Sequence, residues 1–268
     1  MRGLAENGLL LMDMRGVMRG EETLPPSLAV VADVHGNRWA LEAVLRDIDR
    51  RGAQRIVNLG DHLTGPLDPA GTADLLIERG MLSICGNDDR VLFSPPEQLS
   101  ASQRYTRERL SPAILSWLRA LPDTAVIDDE FFLCHGDLFD SPYLLEQVEA
   151  SGVALRSTAA IQASVVTIVQ SVVLSGHSHV PRTVALPEGK LIVNPGSVGL
   201  PAYTMEIPFP YAMESGSPHA RYALLRKASD SWQVEHVQVP YDWEHAARVA
   251  RENQRPDWAE WLSAGRAQ

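Results

Sequence analysis

Thiols are nearly absent from this chain: two cysteines, Cys85 and Cys134, stand among 268 residues. So few give no disulfide framework, and at the ends of apolar runs they read as small apolar fillers in a reducing compartment. Nowhere does the sequence offer the ~20 consecutive apolar residues of a membrane span. The apolar run near the start, residues 9–12, is far shorter, and no small-residue cleavage site follows it, so the cytoplasm is the expected location. Basic residues are also in deficit, 24 Lys and Arg against 34 Asp and Glu, for a formal charge of -10. Proteins that track nucleic-acid backbones concentrate Lys and Arg, so a nucleic-acid partner is not expected.

What is present suits one enzyme-sized domain. With 45% hydrophobic and 22% charged residues, the chain can bury a sizeable core, and no second core is required. The expected organisation is a loosely docked extension over 1–24, with Met-Arg-Gly repeated at Met14 and Met18, a domain over 25–240 and a helical tail over 241–268.

Five β-forming runs stop abruptly at a polar signal. Residues 27–32 lead to Asp33 and His35, 55–59 to Gly60 and Asp61, and 81–85 to Gly86 and Asn87. Residues 131–134 lead to His135, and 171–174 to Gly176, His177, Ser178 and His179. In open α/β sheets ligands bind just beyond the carboxyl ends of the strands, so five such ends predict one cleft. The side chains delivered there are carboxylates from Asp33 and Asp61, imidazoles from His35, His135, His177 and His179, and the amide oxygen of Asn87. Mixed nitrogen and oxygen donors without thiolate suit divalent Mn, Fe, Zn or Ni and argue against a structural zinc knot. Seven donors exceed the needs of one tetrahedral ion. They are about right for two ions sharing a carboxylate, roughly 3.5 to 4 Å apart. Any one of these signals has a bland reading, and only their conjunction defeats it.

Taken in order, D-x-H, G-D, G-N-x-D, a lone His and G-H-x-H resemble the calcineurin-like metallophosphoesterases. Asn194-Pro195-Gly196-Ser197 resembles the small bacterial and archaeal phosphodiesterase branch of that family. The resemblance covers most of residues 27–200. It implies a four-layer α/β/β/α sandwich of two mixed sheets flanked by helices. It also implies Asp33, His35, Asp61 and His179 on a first ion, and Asn87, His135 and His177 on a second, with Asp61 bridging. The implied activity is hydrolysis of a small phosphodiester by direct attack of metal-activated hydroxide, with no covalent phosphoenzyme. Asp61 and Asn87 are then catalytic as well as ligands. The rivals are a phosphoprotein or dinucleoside polyphosphate hydrolase and a non-catalytic scaffold of the same fold.

The chain departs from many members at Asp88, where they carry a histidine that assists the leaving group. His62 is either a stand-in for that acid, because an imidazole titrates near neutral pH, or a surface histidine with no role. Arg90 either contacts a substrate phosphate, as guanidinium does in bidentate fashion, or pairs with Asp88 or Asp89. A ligating histidine needs its second nitrogen tied to a carbonyl or carboxylate, and Asp89 and Asp137 are candidates for that tie.

Further along, residues 103–121 read as a polar helix that overhangs the cleft or covers the sheet. Residues 183–186 and 190–194 form a hairpin, residues 221–225 pair with 234–239, and both pairs are expected in the second sheet. Residues 203–219 read as an irregular pocket wall or a surface loop. Trp243, Trp258 and Trp261 mark short amphipathic helices that pack either on the domain or on a second copy, which leaves homo-oligomer formation open.

Overall fold

The computed structural model describes residues 26–137 and 143–267, so the expected N-terminal extension lies outside the described residues. The chain opens with alternation: β1 (Ser27–Val31), α1 (Arg38–Arg51), β2 (Arg55–Asn58), α2 (Pro69–Arg79) and β3 (Leu82–Ser83). Local chemistry sets the limits of α1. Asn37 caps its start by accepting from the Ala40 amide, and Gly52 ends it in a left-handed conformation at φ 67°. Its Leu41, Val44, Leu45 and Ile48 recur at helical spacing and are all buried.

Three short helices follow, α3 (Asn87–Val91), α4 (Ala101–Arg107) and α5 (Pro112–Arg119), then β4 (Thr124–Ile127) and β5 (Phe131–Cys134). The single helix expected over 103–121 is thus two. Pro112 cannot donate to a preceding turn, and Ser111 caps a fresh start by accepting from the Ile114 amide. Next come a small hairpin, β6 (Glu146–Glu149) with β7 (Gly152–Leu155), then α6 (Thr158–Ser164), β8 (Val172–Ser175), β9 (Arg182–Ala185) and β10 (Leu191–Asn194). The chain closes with β11 (Ala202–Met205), β12 (Tyr211–Glu214), β13 (Ala220–Ala228), β14 (Ser231–Val239), α7 (Trp243–Glu252) and α8 (Pro256–Ala264).

Two mixed five-stranded sheets result, ordered β14-β13-β1-β2-β3 and β4-β5-β8-β10-β9. The period-2 alternation of strands explains the layering. In β1, Leu28 and Val30 face Phe131, Leu133, Val172 and Leu174 of the other sheet in one buried cluster. Ala29 and Val31 face the opposite way, into a cluster with Leu41, Val44 and Ile48 of α1 and Leu118 of α5. On the far side, Val173 and Ile192 pack against Ile161 of α6. The order is helix, sheet, sheet, helix.

One expectation is corrected. The hairpin β9-β10 belongs to the second sheet, but the strands over 221–225 and 234–239 do not. They lie in β13 and β14, and β13 adds to the first sheet antiparallel to β1, with Ser27 opposite Arg226. The reason is two-sided burial: Ala223 and Leu225 fill the space between the sheets, while Tyr222 and Leu224 meet the α1 layer. The tail helices pack back onto the domain, where Ala246, Ala250, Trp258 and Leu262 share a cluster with Leu67, Leu200 and Ala202.

Candidate functional site

The loops leaving β1, β2, β5 and β8 bring their side chains to one place. Asp33 Oδ1 lies 3.5 Å from His179 Nε2 and 4.0 Å from His135 Nε2, and Asp61 Oδ2 lies 3.1 Å from His135 Nε2. These loops share an uncommon backbone: Asp33, His35, Asp61, His177 and His179 all have φ between 50° and 71°. Left-handed conformations are rare for residues with a Cβ, and they persist where surrounding bonds over-determine them.

Those bonds are present. The amides of Asp33 and His35 donate to the carbonyls of Gly60 and Asp61, each at 3.0 Å, lacing the first two loops together. Asp89, fully buried, accepts from the amides of Asp61, His62 and Gly86, all at 2.9 Å. Asn194 donates to the Gly176 carbonyl at 2.7 Å, and the Ser197 hydroxyl donates to the Asp33 carbonyl at 2.7 Å, so the Asn-Pro-Gly-Ser stretch braces the outer two loops. Gly86 is there for closeness, since a Cβ on it would stand 2.1 Å from Asp61 Oδ1.

The histidine rings decide what the site can bind. His35 Nδ1 faces the Thr64 carbonyl at 2.8 Å, His135 Nδ1 the Leu59 carbonyl at 2.7 Å, and His179 Nδ1 the Leu200 carbonyl at 2.7 Å. A carbonyl only accepts, so each Nδ1 carries a proton and Nε2 is the ring atom left to face the cleft. For these three rings the tie is thus a main-chain carbonyl and not Asp89 or Asp137. The three Nε2 atoms point inward: His35 Nε2 and His179 Nε2 stand 3.1 Å apart, and His135 Nε2, in a ring that burial would lower but Asp61 and Asp33 push up to about 10, stands 3.0 Å from Asn87 Oδ1 and 3.1 Å from Asp61 Oδ2. Between His35 and His179, two Nε2 acceptors at such a distance leave a place that a cation would fit.

Electrostatics say the same. Burial pushes the Asp33 carboxyl up to about 8, with His135 opposing the rise and the Asp61 charge adding to it. Burial also acts to raise Asp61, but His135 and His35 hold it well below the carboxylate range. His179 is held well below the ordinary imidazole value by burial and by His35, which keeps it neutral and able to ligate. Divalent cations relieve both the crowded carboxylates and the opposed lone pairs, so the donor set fits them. Asp33, His35 and His179 each bring a ligand atom within 4.8 Å of the other two, as do Asp61, His135 and His177. A third such group, His35, Asp61 and Asp88, includes a residue that the sequence marked only as a departure.

A cavity of about 910 Å³ opens over these groups, lined among others by His35, Asp61, Asn87, Asp88, His177 and His179. His62 and Arg90 are not in its lining. The His62 ring is fully buried, with Nδ1 against Asp89 at 2.7 Å and Trp117 edge-on at 5.4 Å, so its position corrects both the expected role as proton donor and the surface alternative. Neighbouring loop residues point different ways, and adjacency to Asp61 in sequence does not make a shared site. Arg90 donates to Asp123 at 2.7 Å on the exposed surface, which replaces the expected phosphate contact and also the expected pairing with Asp88 or Asp89. Asp137 accepts from the Ser164 hydroxyl at 3.0 Å and lines the cavity. Both readings of residues 103–121 hold in part: Gln103 of α4 lines the cavity, while Leu118 of α5 joins the core.

Residues 27–213 match the model of the calcineurin-like phosphoesterase superfamily domain. An uncharacterized protein of Methanocaldococcus jannaschii is 26% identical over 262 residues, spanning 86% of this chain and 94% of that one. The crystal structure of a metallophosphoesterase from Sphaerobacter thermophilus is similar with a TM-score of 0.69 at 23% identity, over 90% of this chain and 100% of that one. At that identity the likeness is one of fold.

Proposed function

This chain belongs to the calcineurin-like phosphoesterase superfamily, and on that footing we propose that it hydrolyses phosphodiesters with the help of two divalent metal ions. Asp33, His35 and His179 would hold one ion, and Asn87, His135 and His177 the other, with Asp61 shared. The observation that carries this reading is the convergence of lone pairs, above all the facing Nε2 atoms of His35 and His179 at 3.1 Å. Its mixed donors suit Mn, Fe, Zn or Ni. When bound, such ions supply Lewis acidity toward phosphoryl oxygens and make water acidic enough to attack at neutral pH.

The chain's own residues do the positioning. Carbonyls of Leu59, Thr64 and Leu200 fix the imidazole tautomers, and Asp89 fixes the loop that carries Asp61. Direct attack by water is favoured over a covalent phosphoenzyme. A cysteinyl phosphoenzyme in particular is disfavoured, since both cysteines are buried and burial pushes their thiols up to about 12.

A diester is favoured over a monoester or a polyphosphate by charge. The two guanidinium groups in the described lining, Arg156 and Arg255, are already engaged: Arg156 with the Leu144 carbonyl at 3.0 Å and Arg255 with Asp257 at 2.9 Å. A single negative charge makes the smaller demand. The test is turnover of bis(p-nitrophenyl) phosphate and p-nitrophenyl phosphate by metal-stripped protein refilled with Mn(II). Metal-dependent turnover of the diester, with the monoester slower, is expected. A faster monoester would reassign the substrate, and metal-independent turnover would refute the mechanism.

A further inference from the structure

The cavity is far larger than a phosphate group, and much of its wall is aromatic. Tyr143, Tyr203, Tyr211, Trp258 and Trp261 line it, with Met205 and Ile207 toward solvent. We propose that this wall takes a flat aromatic arm of the diester, with those five rings as the specificity-determining residues. The proposal rests on the phosphodiesterase reading and adds the class of alcohol that the phosphate joins.

The wall begins at the metal-ligating histidines. Tyr143 stacks on His177 with ring centroids 4.7 Å apart and planes at 28°, Tyr203 sits edge-on to His179 at 4.7 Å, and Trp258 sits edge-on to His35 at 6.0 Å. An arm esterified to a phosphate at those histidines therefore meets ring surface at once. The rings are also held in place. The Tyr143 hydroxyl is bonded to those of Tyr203 at 2.8 Å and Tyr211 at 2.7 Å, and the Tyr203 hydroxyl lies 3.2 Å from the His177 carbonyl. Rings fixed before the ligand arrives lose little freedom on binding, which favours a rigid planar partner over a flexible chain.

The tail completes the wall. Helix α8 packs on β11, and Trp258 shares a buried cluster with Leu200, Ala202 and Tyr203. Arg255 just before it donates to Ser102 in the first turn of α4, and Asn253 donates to the Pro66 carbonyl at 2.8 Å, tying the tail across the cavity rim. Trp258 and Trp261 lie beyond the residues that match the superfamily domain, so that domain alone does not supply this surface. The charge pattern points the same way: in the described lining Arg156 is paired with Asp137 and Arg255 with Asp257, Glu146 is paired with Arg182, and Asp88 adds a carboxyl, which suits a neutral arm better than a second phosphate.

The test is calorimetric titration of the Mn(II)-loaded full chain with diphenyl, dibutyl and dimethyl phosphate, three ligands of equal charge. Diphenyl phosphate is expected to bind at least tenfold more tightly than dimethyl phosphate and several-fold more tightly than dibutyl phosphate. Trp261→Leu should narrow the diphenyl-to-dimethyl ratio at least threefold. Because Trp261 is buried, Tyr211→Leu serves as a second variant: Tyr211 is one of the five rings and only half-buried, and its replacement too should narrow the ratio. Equal binding of all three ligands, dibutyl matching diphenyl, or a ratio unmoved in both variants would overturn the proposal. Binding is read without turnover, so an aryl preference in a protein that cleaves no diester would sink the hydrolase reading and leave the aromatic cleft standing.

Discussion

Nε2 of His35 and Nε2 of His179 face one another at 3.1 Å, although each ring has already given its proton to a main-chain carbonyl. Two neutral imidazoles cannot satisfy each other in that arrangement, since both offer lone pairs. The backbone holds them there at φ 50° and 61°, in a conformation that each residue alone disfavours. The fold spends stability to aim these donors at one point, and a cation at that point recovers it.

Metal removal should therefore cost stability. At free Mn(II) one hundred times its dissociation constant, binding adds about 2.7 kcal/mol, which for a domain of this size raises Tm by roughly 2–4 °C per kcal/mol. Thermal unfolding with Mn(II) and after chelation checks this. An equal Tm in the two samples would count against a resident ion. Replacing His179 by Ala should remove most of the difference.

Gly86→Ala tests the closeness of two loops. The new Cβ would meet Asp61 Oδ1 at 2.1 Å and the Asp61 amide at 2.4 Å; the first is held by the Asp88 amide and the second by Asp89. The variant should lose roughly 2 kcal/mol or more of stability and most of its Mn(II) affinity. Elemental analysis and denaturant unfolding measure the two effects.

His62 should behave as a structural residue. Removing its ring by His62→Ala opens a cavity against Trp117 and leaves the Asp89 carboxylate without its imidazole partner. A loss of about 3 kcal/mol is expected. The pH dependence of diester turnover should keep its shape; loss of the alkaline limb would restore His62 to the role of proton donor.

Much of this was legible in the sequence, because a strand ending in Asp or His carries its own explanation. Asp33, Asp61, His135 and His179 each follow an apolar run, and all four sit in one buried cluster. What stayed hidden depends on direction and on distant contacts. Asp89 reads in the sequence as a tie for a ligating histidine, yet it binds three amides and the His62 ring, because its side chain turns toward those loops. The cavity wall joins Tyr143, Tyr203 and Trp258, whose spacing in sequence gives no periodic signal. Residues 203–219 read as irregular because Pro208, Pro210 and Pro218 interrupt the strand-forming residues, although Ala202 pairs with Glu214 and Met205 with Tyr211 in a regular hairpin.

Acid sensitivity has a source outside the site. Burial acts to raise the Asp47 carboxyl, but hydrogen bonds from Tyr222 at 2.8 Å, Arg50 at 2.6 Å and Arg51 at 2.8 Å outweigh it and leave Asp47 below its ordinary value. The ionised form is thus favoured in the folded state. Its stabilisation is complete above the unfolded carboxylate value of about 3.9 and is lost as pH falls through the lower folded value. Tyr222→Phe should cost about 1–2 kcal/mol at pH 7, and the gap to the unaltered protein should shrink below about pH 4. Urea unfolding at pH 7 and pH 3 measures it; a gap that grows with acid would contradict the assignment.

The central claim is that the converging acceptors hold two ions and that hydrolysis needs both. Elemental analysis of Mn(II) per chain, with bis(p-nitrophenyl) phosphate turnover measured on the same samples, tests it most directly, comparing the unaltered protein with Asp61→Asn. The account predicts two ions per chain with metal-dependent turnover, and in the variant fewer than two ions and turnover reduced by a factor of about 100 or more. A chain that retains no metal, or a variant that keeps full turnover, would contradict it.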